Sequence, residues 1–330
     1  MSTLPLERYT RGSKIDRIDH VCERPFRTTT IGNDGSCYVC ICDAWLPISV
    51  GNIESFQSLE EIWNNPTARD IQKDIKEKRY TNCAVTHCGI LQHDILQPTY
   101  RINVALDTSC NLACPTCRKD MINFTSGPIY EERLKRTQHF LSLLERFHHD
   151  LTIILIGNGD PLASTVMRPI VLGWHPKSNQ KIILFTNGLL MKKLLPDSTI
   201  FNNVGEFHIS VDAGSKEVYE KVRRPGRYDV LRENLDWLRD HRPKQSRVVL
   251  KFTLSAYNAE DVINFADMCK HYQFEGEITK LDDWGTFDDF DSKDVIDNLN
   301  HPLRSAALAK LSEVKTRRDI WVAPSFDHLL

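Results

Sequence analysis

The sequence predicts an α/β fold preceded by a small cysteine-rich domain of α+β character. Three observations carry this reading. From about Thr99 onward, short β-branched or apolar runs alternate with helical stretches; the polar, glycine-containing segments fall at the ends of those runs; and nine of the ten cysteines lie between Cys22 and Cys117, leaving only Cys269 in the rest of the chain. Strand-helix alternation implies parallel pairing with right-handed crossovers. Clustered cysteines point to metal rather than to disulfides, which the reducing interior of a cell does not sustain.

At 330 residues the chain is long enough for one large domain and a satellite. Four segments are expected: an N-terminal extension (1–14), the cysteine-rich domain (15–95), the α/β domain (96–290) and a C-terminal extension (291–330). Lys plus Arg number 42 and Asp plus Glu 44, a net charge of −2, so nothing favours a nucleic-acid partner. The first twenty residues are polar and lack the apolar stretch of a signal peptide, and no run approaches the roughly 18 apolar residues needed to span a bilayer. A cytoplasmic protein without a membrane partner is the expectation.

Within the cysteine-rich segment, Ser58-Leu59-Glu60-Glu61 reads as a capping box, followed by a charged helix from Thr67 to Lys78. Six strands then follow at 101–107, 151–156, 181–186, 206–212, 247–254 and 275–281. Between the first two, Tyr130, Leu134, Leu141 and Leu144 share one helical face; later, Val262, Phe265, Ala266 and Cys269 follow the i, i+3, i+4, i+7 rule, which makes Cys269 a core residue. The tail predicts a helix over 301–317.

In parallel α/β folds, function gathers at the carboxyl ends of the strands. Asp107 to Cys117 follows the first strand, Gly157-Asn158-Gly159-Asp160-Pro161 the second, Thr186-Asn187-Gly188 the third, and Ser210-Val211-Asp212 ends the fourth. Cys110-Asn-Leu-Ala-Cys114-Pro-Thr-Cys117 places three thiols within eight residues. Three thiolates are one short of closing a four-iron cluster, which leaves one iron open to chelate a small molecule. Zinc, with ligands recruited from elsewhere, is the alternative for such a loop.

A CxxxCxxC loop after a first strand, followed by strand-helix units over roughly residues 99–285, resembles the radical S-adenosylmethionine (SAM) superfamily. The resemblance implies a partial, six-stranded (β/α) TIM-like barrel in which Cys110, Cys114 and Cys117 hold a catalytic 4Fe-4S cluster. In that family the open iron binds the SAM amine and carboxylate, and reductive cleavage gives a 5′-deoxyadenosyl radical that abstracts hydrogen from substrate. Gly157-Asn158-Gly159-Asp160-Pro161 resembles the family's Gly-Gly-Glu-Pro segment, which receives the SAM amine, with Asn158 in place of a glycine and Asp160 in place of glutamate. An ordinary glycine-rich turn is the other reading of these residues. Ser210 and Asp212, with Arg223 and Arg224, resemble the fourth-strand region that positions the SAM ribose and carboxylate; a solvated helix end is the alternative for the arginines. Asn187, Ser255 and Asn258 are further candidates by position, while Lys280, Asp282 and Trp284 read more simply as loop residues.

Cys22, Gly35, Cys40, Gly51-Asn-Ile, Ser58-Leu-Glu-Glu-Ile-Trp63, Cys83 and Cys88 together resemble the SPASM domain, or the shorter twitch domain, of radical SAM enzymes. The module precedes the barrel here, whereas in the family it usually follows it. The resemblance implies a second, auxiliary 4Fe-4S cluster on Cys22, Cys40, Cys83 and Cys88, with Cys37 and Cys42 as additional thiols. A structural four-cysteine zinc site is the alternative, and His87 is expected to be an exposed neighbour.

This combination implies an oxidoreductase or related radical enzyme that modifies a peptide or protein, or oxidises or rearranges a small molecule such as a sugar or alcohol. An electron donor such as flavodoxin or ferredoxin is the implied partner. A non-catalytic metal-binding protein on the same fold is the reading from another class. Activation of a partner by a glycyl radical is disfavoured, because no extended ferredoxin-like cysteine run is present.

Overall fold

The computed structural model describes residues 21–84, 88, 99–283 and 285–330; Trp284 and His87 lie outside them. The chain forms two compact units. Among the described residues, one comprises those from Val21 to Ser109 together with Asn123–Ile183, and the other Cys110–Ile122 with those from Leu184 to Leu330.

The first unit opens with α1 (Arg24–Arg27) and the strands β1 (Thr28–Ile31), β2 (Ser36–Tyr38) and β3 (Ser49–Asn52). These strands pair antiparallel, with a register shift at Cys37/Tyr38. The β1–β2 turn requires Gly35, whose φ is +82° and whose position leaves no room for a Cβ: one would stand 2.6 Å from the Asn52 side chain. The short helix α2 (Glu61–Asn64) leads directly into α3 (Pro66–Lys76), which Asn65 caps by accepting from the Ala68 amide at 3.0 Å. The Ser58 capping box does not form. Helix α2 starts only at Glu61, so Ser58 is not its N-cap, and the Glu61 carboxylate instead accepts from the Gln57 amide at 2.9 Å.

Next come β4 (Tyr100–Val104), α4 (Pro128–Arg146) and β5 (Leu151–Leu155). β4 is paired in parallel on both sides, with β5 (Ile102 opposite Ile153) and with β1 (Thr29 opposite Ile102). The cysteine-rich segment therefore contributes a strand to the parallel sheet of this unit. The face that α4 buries differs from the one expected. It carries Arg136, Thr137, Phe140, Leu143 and Leu144, whereas Tyr130, Leu134 and Leu141 are half-buried. The stripe is rotated because Arg136 is satisfied inside the fold: it pairs with Glu132 at 2.6 Å and Glu54 at 3.1 Å, and donates to the Asn33 carbonyl at 2.6 Å. A buried guanidinium with three acceptors is tolerated where an unpaired one is not.

The chain passes from the first unit to the second within β6 (Gln180–Thr186). The second unit continues through α5 (Met191–Leu194), β7 (Val204–Ser210), α6 (Lys216–Val222), α7 (Tyr228–His241), β8 (Arg247–Leu254), α8 (Val262–Tyr272) and β9 (Glu275–Lys280). β7, β8 and β9 pair in parallel, Ile209 opposite Leu250 and Phe252 opposite Ile278. Val262, Phe265, Ala266 and Cys269 are all buried on α8, as the periodicity implied. The C-terminal tail adds a further helix-strand unit: α9 (Arg304–Lys315) packs on α8, and β10 (Ile320–Val322) pairs in parallel with β9. Among the described residues no helix is long and apolar enough to cross a membrane.

Candidate functional site

In the second unit, the loop Cys110–Cys117 is held at both ends by its own backbone. The Cys110 amide donates to the Ile122 carbonyl at 2.7 Å, and the Cys117 and Arg118 amides both donate to the Cys114 carbonyl at 2.9 Å. Its middle is tied to the segment after α6: the Ala113 amide donates to the Arg224 carbonyl at 2.8 Å, and Arg224 Nε donates back to the Ala113 carbonyl at 2.9 Å. Leu112 anchors the loop in the core, while Cys114 is buried, Cys110 half-buried and Cys117 exposed.

Two polar side chains are directed at these sulfurs. Arg223 Nη1 lies 3.7 Å from Cys114 Sγ, and Asn187 Nδ2 lies 3.8 Å from Cys110 Sγ while donating to Asn111 Oδ1 at 2.8 Å. Arg223 in turn pairs with Asp212 at 2.5 Å. Burial pushes the Cys114 thiol above its ordinary pKa, and the Arg223 charge opposes that. Burial also works against the Arg223 cation, but the Asp212 carboxylate and Cys114 outweigh it and hold its pKa above the ordinary guanidinium value. A cation and an amide donor at two of three thiols is a donor set suited to an anionic cluster, whose sulfurs take hydrogen bonds. Among the described residues no three Cys, His, Asp or Glu side chains converge as ligands of a single ion do; cluster cysteines each face a different iron and need not converge.

The remaining candidates of this unit are placed as follows. Ser210 is half-buried at the end of β7, and Asp212, two residues on, is buried with φ +57°. Asn258 and Ser255 form a buried turn in which Asn258 accepts from the Ser255 amide at 2.8 Å and donates to the Asp212 carbonyl at 2.9 Å. They staple β7 to the end of β8. Lys280 pairs with Asp297 at 2.6 Å, and Asp282 is exposed.

Gly157–Pro161 belongs to the first unit. Gly157 has φ +144°, and a Cβ on Gly159 would stand 2.5 Å from the Ser109 carbonyl oxygen, so only glycine lets this segment approach the residues that immediately precede Cys110. The Asp160 amide donates to that same carbonyl at 2.8 Å. Its carboxylate is buried and accepts from the Leu162 and Ala163 amides at 2.9 and 3.2 Å, while Asn158 is exposed. Sequence reading assigned no role to the network alongside. Asp107 accepts from Arg133 at 2.7 Å and from the Ser164 hydroxyl at 2.6 Å, and Arg133 also donates to Thr108 Oγ1 at 3.0 Å. Its only sequence signal is a charged residue ending a strand, which does not reveal a partner on a distant helix.

The N-terminal cysteines, also in the first unit, divide into two groups. Cys22 is pushed up to about 11 by burial, and the charges of Cys40 and Cys88 add to the rise. Cys83 is raised by burial and then by Cys40, Cys22 and Cys88. Cys22, Cys40, Cys83 and Cys88 thus stand close enough to repel one another as thiolates. Cys37 senses Asp34 and none of these four, whereas Cys42 is pushed up to about 12 by burial and senses Asp43 and Cys40. The Cys40 loop is held from beneath: Thr30 donates to the Cys40 carbonyl at 2.7 Å, and Asn103 donates to Thr30 Oγ1 at 3.0 Å and the Ile41 carbonyl at 2.9 Å. A cation stands beside them: Arg24 is buried, and its charge lowers the Cys22 and Cys40 pKa values against the effect of burial.

Residues 107–269 match the family model described as the radical SAM superfamily, and residues 22–89 match the SPASM iron-sulfur cluster-binding domain. The chain carries a radical SAM domain of the kind found in radical SAM enzymes, with a SPASM domain N-terminal to it. These domains carry a 4Fe-4S cluster with SAM, and auxiliary iron-sulfur chemistry, respectively. No curated protein sequence matches the chain significantly. Among solved structures, it is similar to Streptococcus suis SuiB bound to the precursor peptide SuiA (13% identity, TM-score 0.42, covering 82% of this chain and 56% of that one). It is also similar to SuiB bound to S-adenosylmethionine (13%, 0.45, 92% and 72%) and to anSMEcpe with bound AdoMet (15%, 0.44, 69% and 64%). The chain spans a little over half the length of peptide-bound SuiB.

Proposed function

We propose that this protein is a radical SAM enzyme that modifies a peptide or protein substrate, with its catalytic cluster on Cys110, Cys114 and Cys117 and an auxiliary cluster on Cys22, Cys40, Cys83 and Cys88. The observation that carries the reading is the three-thiol loop with Arg223 at Cys114 and Asn187 at Cys110. When bound, the cluster would supply the electron for reductive cleavage of SAM and so for hydrogen abstraction from the substrate. The chain's own residues do the rest. Asn187 and Arg223 donate toward the sulfurs of Cys110 and Cys114, and Ser210 offers a hydroxyl for the SAM ribose. Arg224 fixes the cysteine loop through Ala113, which leaves Arg223 paired with Asp212 rather than free for the SAM carboxylate. Peptide modification is the first reading of substrate because a SPASM domain accompanies the radical SAM domain. A cytoplasmic setting and an electron donor of the flavodoxin or ferredoxin type complete the proposal.

Metal analysis of anaerobically reconstituted protein tests it. The expected result is about eight irons with matching acid-labile sulfide, two four-iron clusters, falling to about four when Cys110, Cys114 and Cys117 are all alanine. Stoichiometric zinc without sulfide would support the non-catalytic alternative.

A further inference from the structure

We propose that Arg223, locked against Asp212, tunes the reduction potential of the cluster at the three-cysteine loop through the sulfur of Cys114. This rests on the assignment of Cys110, Cys114 and Cys117 as the ligands of that cluster.

The guanidinium is fixed on several sides. Arg223 closes α6, its amide donating to the Tyr219 carbonyl at 2.8 Å, and its own carbonyl accepts from the Gly226 amide at 2.7 Å. Nη2 meets Asp212 Oδ2 at 2.5 Å, and Nη1 is directed at Cys114 Sγ. Both side chains are largely out of water, 14% exposed for Arg223 and 5% for Asp212, and Arg223 Nε is buried without a partner. Asp212 is itself immobilised. Its Oδ1 accepts from the Thr253 amide at 2.7 Å, its amide donates to the Lys251 carbonyl at 3.0 Å, and its carbonyl accepts from Asn258. β7, β8, the 255–258 turn and α6 together hold one positive charge in contact with a candidate ligand sulfur, and one negative charge directly behind it.

Adding an electron to a cluster makes it more negative, so a cation or hydrogen-bond donor at a ligand sulfur favours the reduced state and an anion disfavours it. Water screens such charges least where they are buried. The pair therefore has a resolvable sign: Arg223 raises the potential and Asp212 restrains that rise. A fixed pair sets the potential reproducibly, whereas a mobile surface lysine would not. Arg223 acts here through Cys114 and is a positioning residue.

The test is a potentiometric titration of the reconstituted full-length protein, followed by the electron paramagnetic resonance signal that disappears in the Cys110→Ala/Cys114→Ala/Cys117→Ala variant. At the wild-type midpoint, Arg223→Gln should lower the ratio of reduced to oxidised cluster about tenfold, a fall of about 59 mV for one electron. Asp212→Asn should move the ratio in the opposite direction, and Arg223→Lys, which keeps the charge, should stay near wild type. Where Arg223→Gln does not hold its iron, the near-isosteric Asp212→Asn and the Lys variant decide. Midpoints unchanged in all variants, or shifted the same way by Arg223→Gln and Asp212→Asn, would overturn the inference while leaving the ligand assignment intact. Persistence of every iron-sulfur signal in the triple variant would instead overturn the ligand assignment.

Discussion

Arg133 on α4 donates to Asp107, in the loop that follows β4, across 2.7 Å, in a pair whose carboxylate is 1% exposed, and Ser164 occupies the other carboxylate oxygen at 2.6 Å. The pair joins a helix to the segment that leads into Cys110. Replacing Arg133 by Met leaves a buried carboxylate with one of its two partners, which costs on the order of 3 kcal/mol. The expected outcome is a clear fall in thermal stability for Arg133→Met, and a smaller one for the double variant Arg133→Met/Asp107→Asn, in which no charge is stranded. Calorimetry of the three proteins checks this.

Gly159 presses against the Ser109 carbonyl and Thr108, and its Cβ would stand 2.5 Å from backbone. Neither partner is a flexible side-chain tip, so Gly159→Ala must displace the residue next to Cys110. Iron retained after reconstitution should fall toward that of the triple-cysteine variant, whereas Asn158→Ala, at an exposed position, should retain it.

Cys83 and Cys37 are predicted to differ. Cys83 interacts with Cys22, Cys40 and Cys88, and Cys37 with none of them. Cys83→Ala should lose the iron of one cluster, about four atoms, while Cys37→Ser leaves the iron count unchanged. Iron and sulfide determination on both variants separates them.

Asp74 orders the chain that leads to Cys83. It accepts from Arg79 Nε at 2.9 Å, and from the Thr81 amide and hydroxyl at 2.7 Å each. Burial acts to raise its pKa, but these donors outweigh that and hold it below the usual carboxylate value. A carboxylate depressed on folding contributes stability that is complete above its unfolded pKa of about 3.9 and is lost as pH falls through the lower folded value. Asp74→Asn should therefore cost about 1 kcal/mol, with a deficit that is constant from about pH 6 to 9 and shrinks only below about pH 4. Urea unfolding across that range tests the sign.

Local pattern made much of the fold readable. The six anticipated strands all form with ends within three residues of those read, and the α8 stripe is buried as periodicity requires. What the pattern could not show was pairing across sequence. That β1 joins β4, that β10 joins β9, and that Arg136 is neutralised by Glu54, 82 residues earlier, are long-range facts. The same holds at the site. The cysteine spacing is visible in the sequence, which reads Arg223 equally as a SAM ligand or a solvated helix end; its pairing with Asp212 and its approach to Cys114 are not visible there. Asp107 and Arg133 carried no local mark, because neither capping nor amphipathicity singles them out.

The central claim is best tested by 5′-deoxyadenosine formation. Anaerobically reconstituted, dithionite-reduced protein is supplied with SAM and compared with the variant in which Cys110, Cys114 and Cys117 are alanine. The account predicts 5′-deoxyadenosine from the wild type and none from the variant. Equal amounts from both, or none from a wild type whose Cys110–Cys117 cluster is shown to be intact, reduced and supplied with its peptide substrate, would contradict it.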